Sequence, residues 1–265
     1  MAAAGGGSGR VSAMAGLKRV ALKLPATTED LGKLEIGTVV YLTGRIFTAR
    51  EGAYKHAIED GAGMPAAKEA LGLVNFHCSP AARVNPDGTY SVAAIPSAPM
   101  EDADDVAPHA ASAAKSDSAY NVGAVSATAS FRFVKWLDSW FKLSGCNIII
   151  GKGGMTSEAY RKFFVPNNAI YLTTVGYGTG ALLGRGIKGV AGVHWLEELG
   201  LAQAVWVLDV ENFGPFLVES DLAGNSLFER ENAKIAPGIE KLYAGTRPAT
   251  MRRYGETDDK TEEVI

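Results

Sequence analysis

Three residues have the types and spacing for chemistry on a small anion: Thr128, Arg132 and Lys152. Thr128 and Arg132 are four positions apart, one helical turn, so a helix there would turn both side chains to one side. Lys152 stands in Gly151-Lys-Gly-Gly154, just past the apolar run Cys146-Asn-Ile-Ile-Ile150, which reads as a buried strand. Thr156 or Ser157 can cap a helix after it, with Glu158 in the first turn. A cation beside backbone N–H groups in a glycine turn, at a helix start, suits a carboxylate or a phosphate. The residues alone predict a small-anion site with one hydroxyl and two cations.

The elements that must position these residues alternate between strand and helix patterns. Residues 18–25 alternate like a strand, 27–34 read as a short helical turn with acid near its start, and 36–43 read as a second strand that 44–50 continue or follow. Residues 51–71 have helical character, broken at Gly61-Ala-Gly63, and a short apolar run lies in 70–77. Five prolines, the turn Asn85-Pro-Asp-Gly88 and the acidic run 101–105 predict a hairpin-like insertion and then a loose loop over 79–118. A buried helix face (Phe133, Trp136, Leu137, Trp140, Phe141) precedes Cys146, which reads as core. A strand over 169–175, a glycine turn over 176–180, a helix-like turn at 195–200, a strand over 203–210 and strand, turn, strand over 216–227 follow. Interleaved strands and helices predict an α/β class with a mixed sheet. Residues 1–17 read as a disordered tail and 237–265 as a charged tail around one domain over 18–236.

At 265 residues with 47% apolar and 21% charged content, the chain has the composition of a globular protein with a proper core. With a net charge of −3, the totals do not imply a nucleic-acid surface. No run approaches the ~20 apolar residues of a membrane span. The two cysteines, Cys78 and Cys146, are too few for a disulfide framework or a complete cysteine-ligated cluster, so an iron–sulfur cluster would have to be held by another chain. Few cysteines and no secretory signal suggest a cytoplasmic protein; the basic residues before Glu29, with no acid among them, also permit a mitochondrial leader.

Competing motifs fail on spacing. A P-loop needs four residues between its first glycine and Gly-Lys, then Ser or Thr. Here Gly145 is one place too early and Gly153 follows the lysine. Gly176-Tyr-Gly-Thr-Gly180 would put Ala181 at the third glycine of a dinucleotide fingerprint, with no acid at the usual distance. The histidines at 56, 77, 109 and 194 show no ligand spacing, and His77-Cys78 suits neither zinc nor a relayed thiol.

Tyr41-Leu-Thr-Gly-Arg-Ile-Phe-Thr-Ala-Arg50, the pair Thr128 and Arg132, Gly151-Lys-Gly153 and the segment 195–227 occur in this order and at similar spacing in one family. Over residues 20–235, apart from the insertion, the chain resembles the β subunit, or C-terminal domain, of class I fumarase and L-tartrate dehydratase, which are iron–sulfur hydro-lyases. The resemblance implies a swivelling β/β/α domain and a hetero-oligomer. A partner α subunit would carry a four-iron, four-sulfur cluster on three cysteines, with an open iron for substrate. It implies Arg50, Arg132 and Lys152 as ligands of a small dicarboxylate, and Thr128 as catalytic base with Lys152 beside it.

The sequence departs from the family pattern around these residues. The usual Gly-Pro-Thr-Thr is Ser126-Ala-Thr-Ala129, the usual Met-Asp is Phe133-Val134, and a usual Asp and His are Glu51 and Tyr54. Losing Gly-Pro removes a rigid turn next to Thr128. Hydration of fumarate to malate is the default activity. A tartrate or methyl-branched diacid dehydratase, or a non-catalytic subunit of the same fold, are the alternatives.

Overall fold

The structure, a computed structural model, describes residues 17–81, 83–84, 90–91, 123–176 and 180–245. The strands are β1 (Arg19–Lys23), β2 (Val39–Thr48), β3 (Val74–Phe76), β4 (Cys78–Pro80), β5 (Arg83–Val84), β6 (Tyr90–Ser91), β7 (Val125–Ala127), β8 (Ile148–Gly151), β9 (Ile170–Thr174), β10 (Ile187–His194) and β11 (Val205–Ser220). The helices are α1 (Thr28–Gly32), α2 (Glu51–Ile58), α3 (Lys68–Leu71), α4 (Leu137–Ser144), α5 (Ser157–Ala159), α6 (Gly180–Gly184), α7 (Leu196–Leu199) and α8 (Leu227–Tyr243), and a 3-10 segment, Ser130–Trp136, leads into α4. Helices interleaved with a mixed sheet make this an α/β protein.

Seven strands form one sheet in the order β1-β2-β3-β8-β9-β11-β10. β1, β2, β3, β8 and β9 run parallel, and β11 is antiparallel to its neighbours. β11 also pairs with β2, so β2, β3, β8, β9 and β11 close into a ring. Strand period two then divides the side chains between two apolar clusters. Ile148, Ile150, Ile170, Leu172, Trp206 and Leu208 pack in one, with Phe213 and Phe216. Ile149, Tyr171, Val205 and Val207 point the other way, against α2, the 3-10 segment, α4 and the turn after α5. Tyr54, Phe133 and Trp140 are fully buried there, each contributing roughly 1.5–3 kcal/mol of transfer free energy. Trp136 and Trp140 are core residues.

Local signals set the small elements. Thr27 and Asp30 form a reciprocal capping box on α1. Thr156 accepts from Ala159 N–H at 3.2 Å and caps α5. The hairpin expected in the insertion is the β5–β6 pair. Its first residues, however, belong to the framework: β4 pairs antiparallel with β7, with Ser79 opposite Ser126. The loose loop and the 1–16 and 246–265 stretches lie outside the described residues.

Several expectations are corrected. Thr128 is not helical; the helix starts two residues later, because the backbone at 128–129 pairs with strand ends instead. β10, absent from the sequence reading, is a glycine-interrupted strand with two register shifts, which hides its alternation. The segments 203–210 and 216–221 are one sixteen-residue strand, β11, that register shifts carry from β2 to β9. The expected last strand over 222–227 is a turn and a single bridge, Ser220 to Ser226. The described residues up to Leu227 form one compact unit; a second unit begins at Phe228. It contains all of α8 but its first residue, and α8 aligns Phe228, Ile235, Ile239 and Leu242 along one side.

Candidate functional site

Strand ends build the site. Arg50 lies two residues past β2, His77 directly past β3 and Lys152 directly past β8, and these strands are parallel. Crevices outside the carboxyl ends of parallel strands are where α/β sheets bind ligands. The β4–β7 ladder then delivers Thr128 between two of these ends. Thr128 N–H donates to the His77 carbonyl at 2.6 Å, and Lys152 N–H donates to the Thr128 carbonyl at 3.2 Å. Backbone groups left over at the two strand ends are satisfied in this way.

A cavity of about 260 Å³ opens there, lined by Arg50, Ser79, Ser126, Thr128, Arg132 and Lys152. All four sequence-predicted site residues thus line one cavity. Thr128 is buried, and its hydroxyl hydrogen-bonds to no described residue. Arg50 is pinned by Nη1, which donates to the Ala202 carbonyl at 3.1 Å, while its Nε is buried with no acceptor among the described residues. An orphaned guanidinium donor is costly unless an anion or water completes it. Arg132 Nη2 donates to Glu51 Oε2 at 2.7 Å. The cavity therefore has three cations, not the two read from the residues alone. The start of α5 is not among the lining, so the expected helix terminus does not border this cavity.

Two glycines are required for different reasons. A Cβ on Gly151 would lie 1.9 Å from Ser130 Oγ and 2.7 Å from Tyr171 Oη, so only glycine lets these hydroxyls close over the strand end. Gly153 has φ +69 and open space around it, so it serves the turn alone.

Sequence reasoning missed His77, Ser79, Ser126 and Ser130. His77 is fully buried beneath Thr128, its ring Nε2 2.8 Å from Tyr54 Oη and Nδ1 2.7 Å from Ser130 Oγ. Burial lowers its pKa to about 3 and keeps the ring neutral. The signal was present: Asn75 and His77 alternate with Val74 and Phe76, so two polar residues share the helix-covered side of a buried strand and need partners there.

The cysteines do not fit a cluster. Cys78 and Cys146 are free, buried, and packed in different apolar clusters. Burial raises both thiol pKas, that of Cys146 to about 12. Among the described residues no group of three or more His, Cys, Asp or Glu is placed to hold a metal, and no helix is long and apolar enough to cross a membrane.

Comparison with known proteins agrees with this architecture. The profile of the Fumarase C-terminus family matches residues 8–103 and 97–231. A Methanocaldococcus jannaschii protein provisionally named L(+)-tartrate dehydratase subunit beta is 32% identical over 82% of this chain and 94% of its own length. The L(+)-tartrate dehydratase subunit beta of Escherichia coli is 28% identical over 81% of this chain and 88% of its own. A Geobacillus stearothermophilus protein provisionally named class I fumarate hydratase is 26% identical over 79% of this chain but 34% of its own length. On this extent of match, the chain belongs to the Fumarase C-terminus family.

Proposed function

We propose that this chain is the β subunit of a hydro-lyase that reversibly adds water to a small unsaturated dicarboxylate. The observation that carries this reading is the Thr128 hydroxyl, which has no hydrogen-bond partner among the described residues, in a cavity lined by three cations, one of them with a buried donor that has no acceptor among those residues. At about 260 Å³ the cavity is smaller than the ~300–1,000 Å³ typical of drug-sized ligand sites, which suits a ligand of a few carbons.

The chemistry asked of this chain follows from the residue types. In the dehydration direction, Thr128 Oγ takes the proton from the carbon beside a carboxylate. The charge left behind spreads onto that carboxylate. Arg50, Arg132 and Lys152 stand ready around it, so no dipole reorganisation is needed as charge develops. A hydroxyl is a weak base, and the same cations favour its alkoxide. The main chain of Lys152 is bonded to that of Thr128.

The four-iron, four-sulfur cluster of such hydro-lyases belongs, in this reading, to a partner α subunit, because the cysteines here do not fit it. Phe131, next in the chain to the lining residue Arg132, is an exposed large apolar side chain, which supports coverage by a second chain. The subunit-beta names of two relatives support the same hetero-oligomer.

Fumarate and malate are the first substrates to test. A second reading, tartrate, is favoured by Ser79 and Ser126, cross-strand neighbours that both line the cavity. They offer hydroxyls to a substrate with an additional hydroxyl. The test is anaerobic purification of the chain with whatever binds it, then assay with fumarate, malate and L(+)-tartrate. A brown, oxygen-sensitive complex that turns over one of them supports the reading. A colourless chain with no partner and no activity sinks it.

A further inference from the structure

Thr128 sits in Ser126-Ala-Thr-Ala129, which has neither glycine nor proline to set its backbone. A group that removes a proton must nevertheless stay within hydrogen-bond reach of it. His77 holds this loop on both sides of the hydroxyl. Its carbonyl accepts from Thr128 N–H at 2.6 Å, and its Nδ1 lies 2.7 Å from Ser130 Oγ, two residues further on.

The imidazole is itself immobilised. Nε2 lies 2.8 Å from the Tyr54 hydroxyl, which accepts from Asn75 Nδ2 at 2.9 Å. Phe133 and Tyr54 pack edge-on against the ring, with centroids 4.6 and 5.5 Å away. Tyr54 stacks on Trp140 at 3.9 Å, and Tyr171 donates to Ser130 Oγ at 2.8 Å. A continuous path thus runs from the aromatic core through His77 to Ser130. His77, Ser130, Tyr54 and Tyr171 do not line the cavity, so none of them touches a ligand there.

We infer that His77 is the positioning residue for Thr128, gripping the loop through Ser130 in place of a rigid turn. This rests on the reading of Thr128 as the base. The ring nitrogens separate positioning from mere core stability. His77→Asn places an amide near the position of Nδ1 and keeps a grip on Ser130; His77→Gln reaches the position of Nε2 and keeps only Tyr54.

The experiment uses the assembled complex and the dicarboxylate it turns over. His77→Gln and Ser130→Ala should each lower kcat about 30- to 100-fold with KM within about threefold, the scale of a misplaced reacting group. His77→Asn should return the rate to within about fivefold of the unaltered complex, and the His77→Gln/Ser130→Ala double variant should be no slower than His77→Gln alone. Equal loss in the Asn and Gln variants, or full activity of Ser130→Ala, overturns the inference. Ser130→Ala removes one hydroxyl only, and so remains informative if the His77 variants do not fold.

A readout without turnover completes the test. Amide hydrogen exchange across 126–132 should rise about tenfold in Ser130→Ala while β8 and β9 keep their protection; unchanged exchange overturns the inference whatever the activity. Thr128→Ala separates the two claims. If it stays fully active, the reading of Thr128 as base fails. If it is inactive while the Ser130 and His77 variants are normal, only the positioning role fails.

Discussion

Arg132 and Glu51 meet beside the cavity, Nη2 to Oε2 at 2.7 Å, with about half of each side chain exposed (50% and 44%). The pair places the guanidinium at the site but commits one of its donors to a protein carboxylate. A substrate carboxylate must compete for that donor. Glu51→Gln removes the competitor, and the dissociation constant for a dicarboxylate should fall roughly fivefold, about 1 kcal/mol. Folding stability should change by under about 1 kcal/mol, as for exposed pairs generally. Calorimetric titration of the complex checks this; weaker binding would mean that Glu51 orients Arg132 more than it competes.

Arg50 is expected to be intolerant of lysine. Its Nη1 is tied to the Ala202 carbonyl, and its buried Nε has no acceptor among the described residues. Lysine keeps the charge but has a single nitrogen to serve both places. Arg50→Lys should weaken dicarboxylate binding about tenfold or more, with thermal stability nearly unchanged. Equal affinity in the two proteins would show that the orphaned donor is not a ligand contact.

Thr128→Ala should reduce kcat by about 10²- to 10⁴-fold, the usual scale of a lost acid–base group, with binding of the diacid retained. Thr128→Ser keeps the hydroxyl and should recover much of that rate. Steady-state kinetics together with equilibrium binding distinguish a lost base from a lost binding contact.

Two neighbouring glycines should differ sharply. Gly151→Ala drives a methyl group to 1.9 Å from Ser130 Oγ, so it should cost about 1–3 kcal/mol and disturb the Thr128 loop. Gly153→Ala meets nothing and should cost only about 1 kcal/mol, from its φ of +69. Urea unfolding of both variants tests the contrast, which disappears if the strand end can relax.

His77 should make the fold acid-sensitive. Its folded pKa is about 3, below the ordinary 6.5, because burial disfavours the charged ring. The stability that depends on its neutral form is therefore fully present above pH 6.5. As pH falls from about 6.5 towards 3, the unfolded chain binds a proton that the folded one refuses, at about 1.4 kcal/mol per pH unit. His77→Asn has no such proton, so its stability should fall less steeply from pH 7 to pH 5. Parallel slopes in the two proteins would contradict the buried neutral histidine.

Much of the site was legible in the residues themselves, because it depends on neighbours close in the chain. The apolar run before Gly151-Lys-Gly153 makes a strand end with a cation on it. Thr27 and Asp30 cap α1, and Thr156 caps α5, through bonds three residues long. The spacing of Phe133, Trp136, Leu137, Trp140 and Phe141 buries one helix face. Periodicity and capping act within a turn or two, so the order of residues is enough to specify them.

Tertiary structure decided which strand ends meet, and hence what Thr128 touches. The four-residue spacing to Arg132 suggested a helical turn, but the Thr128 backbone is claimed by His77 and Lys152 from two separate strands. Ser79 faces Ser126 only because β4 pairs with β7 across the insertion, and Arg50 finds Ala202 only because β11 closes the ring against β2. Such bonds form between groups far apart in the chain once the apolar faces have packed. No local pattern carries them: the alternation of Asn75 and His77 with Val74 and Phe76 marks two polar residues on one side of a buried strand, but only the packed structure shows that His77 meets Tyr54 and Ser130 beside Thr128.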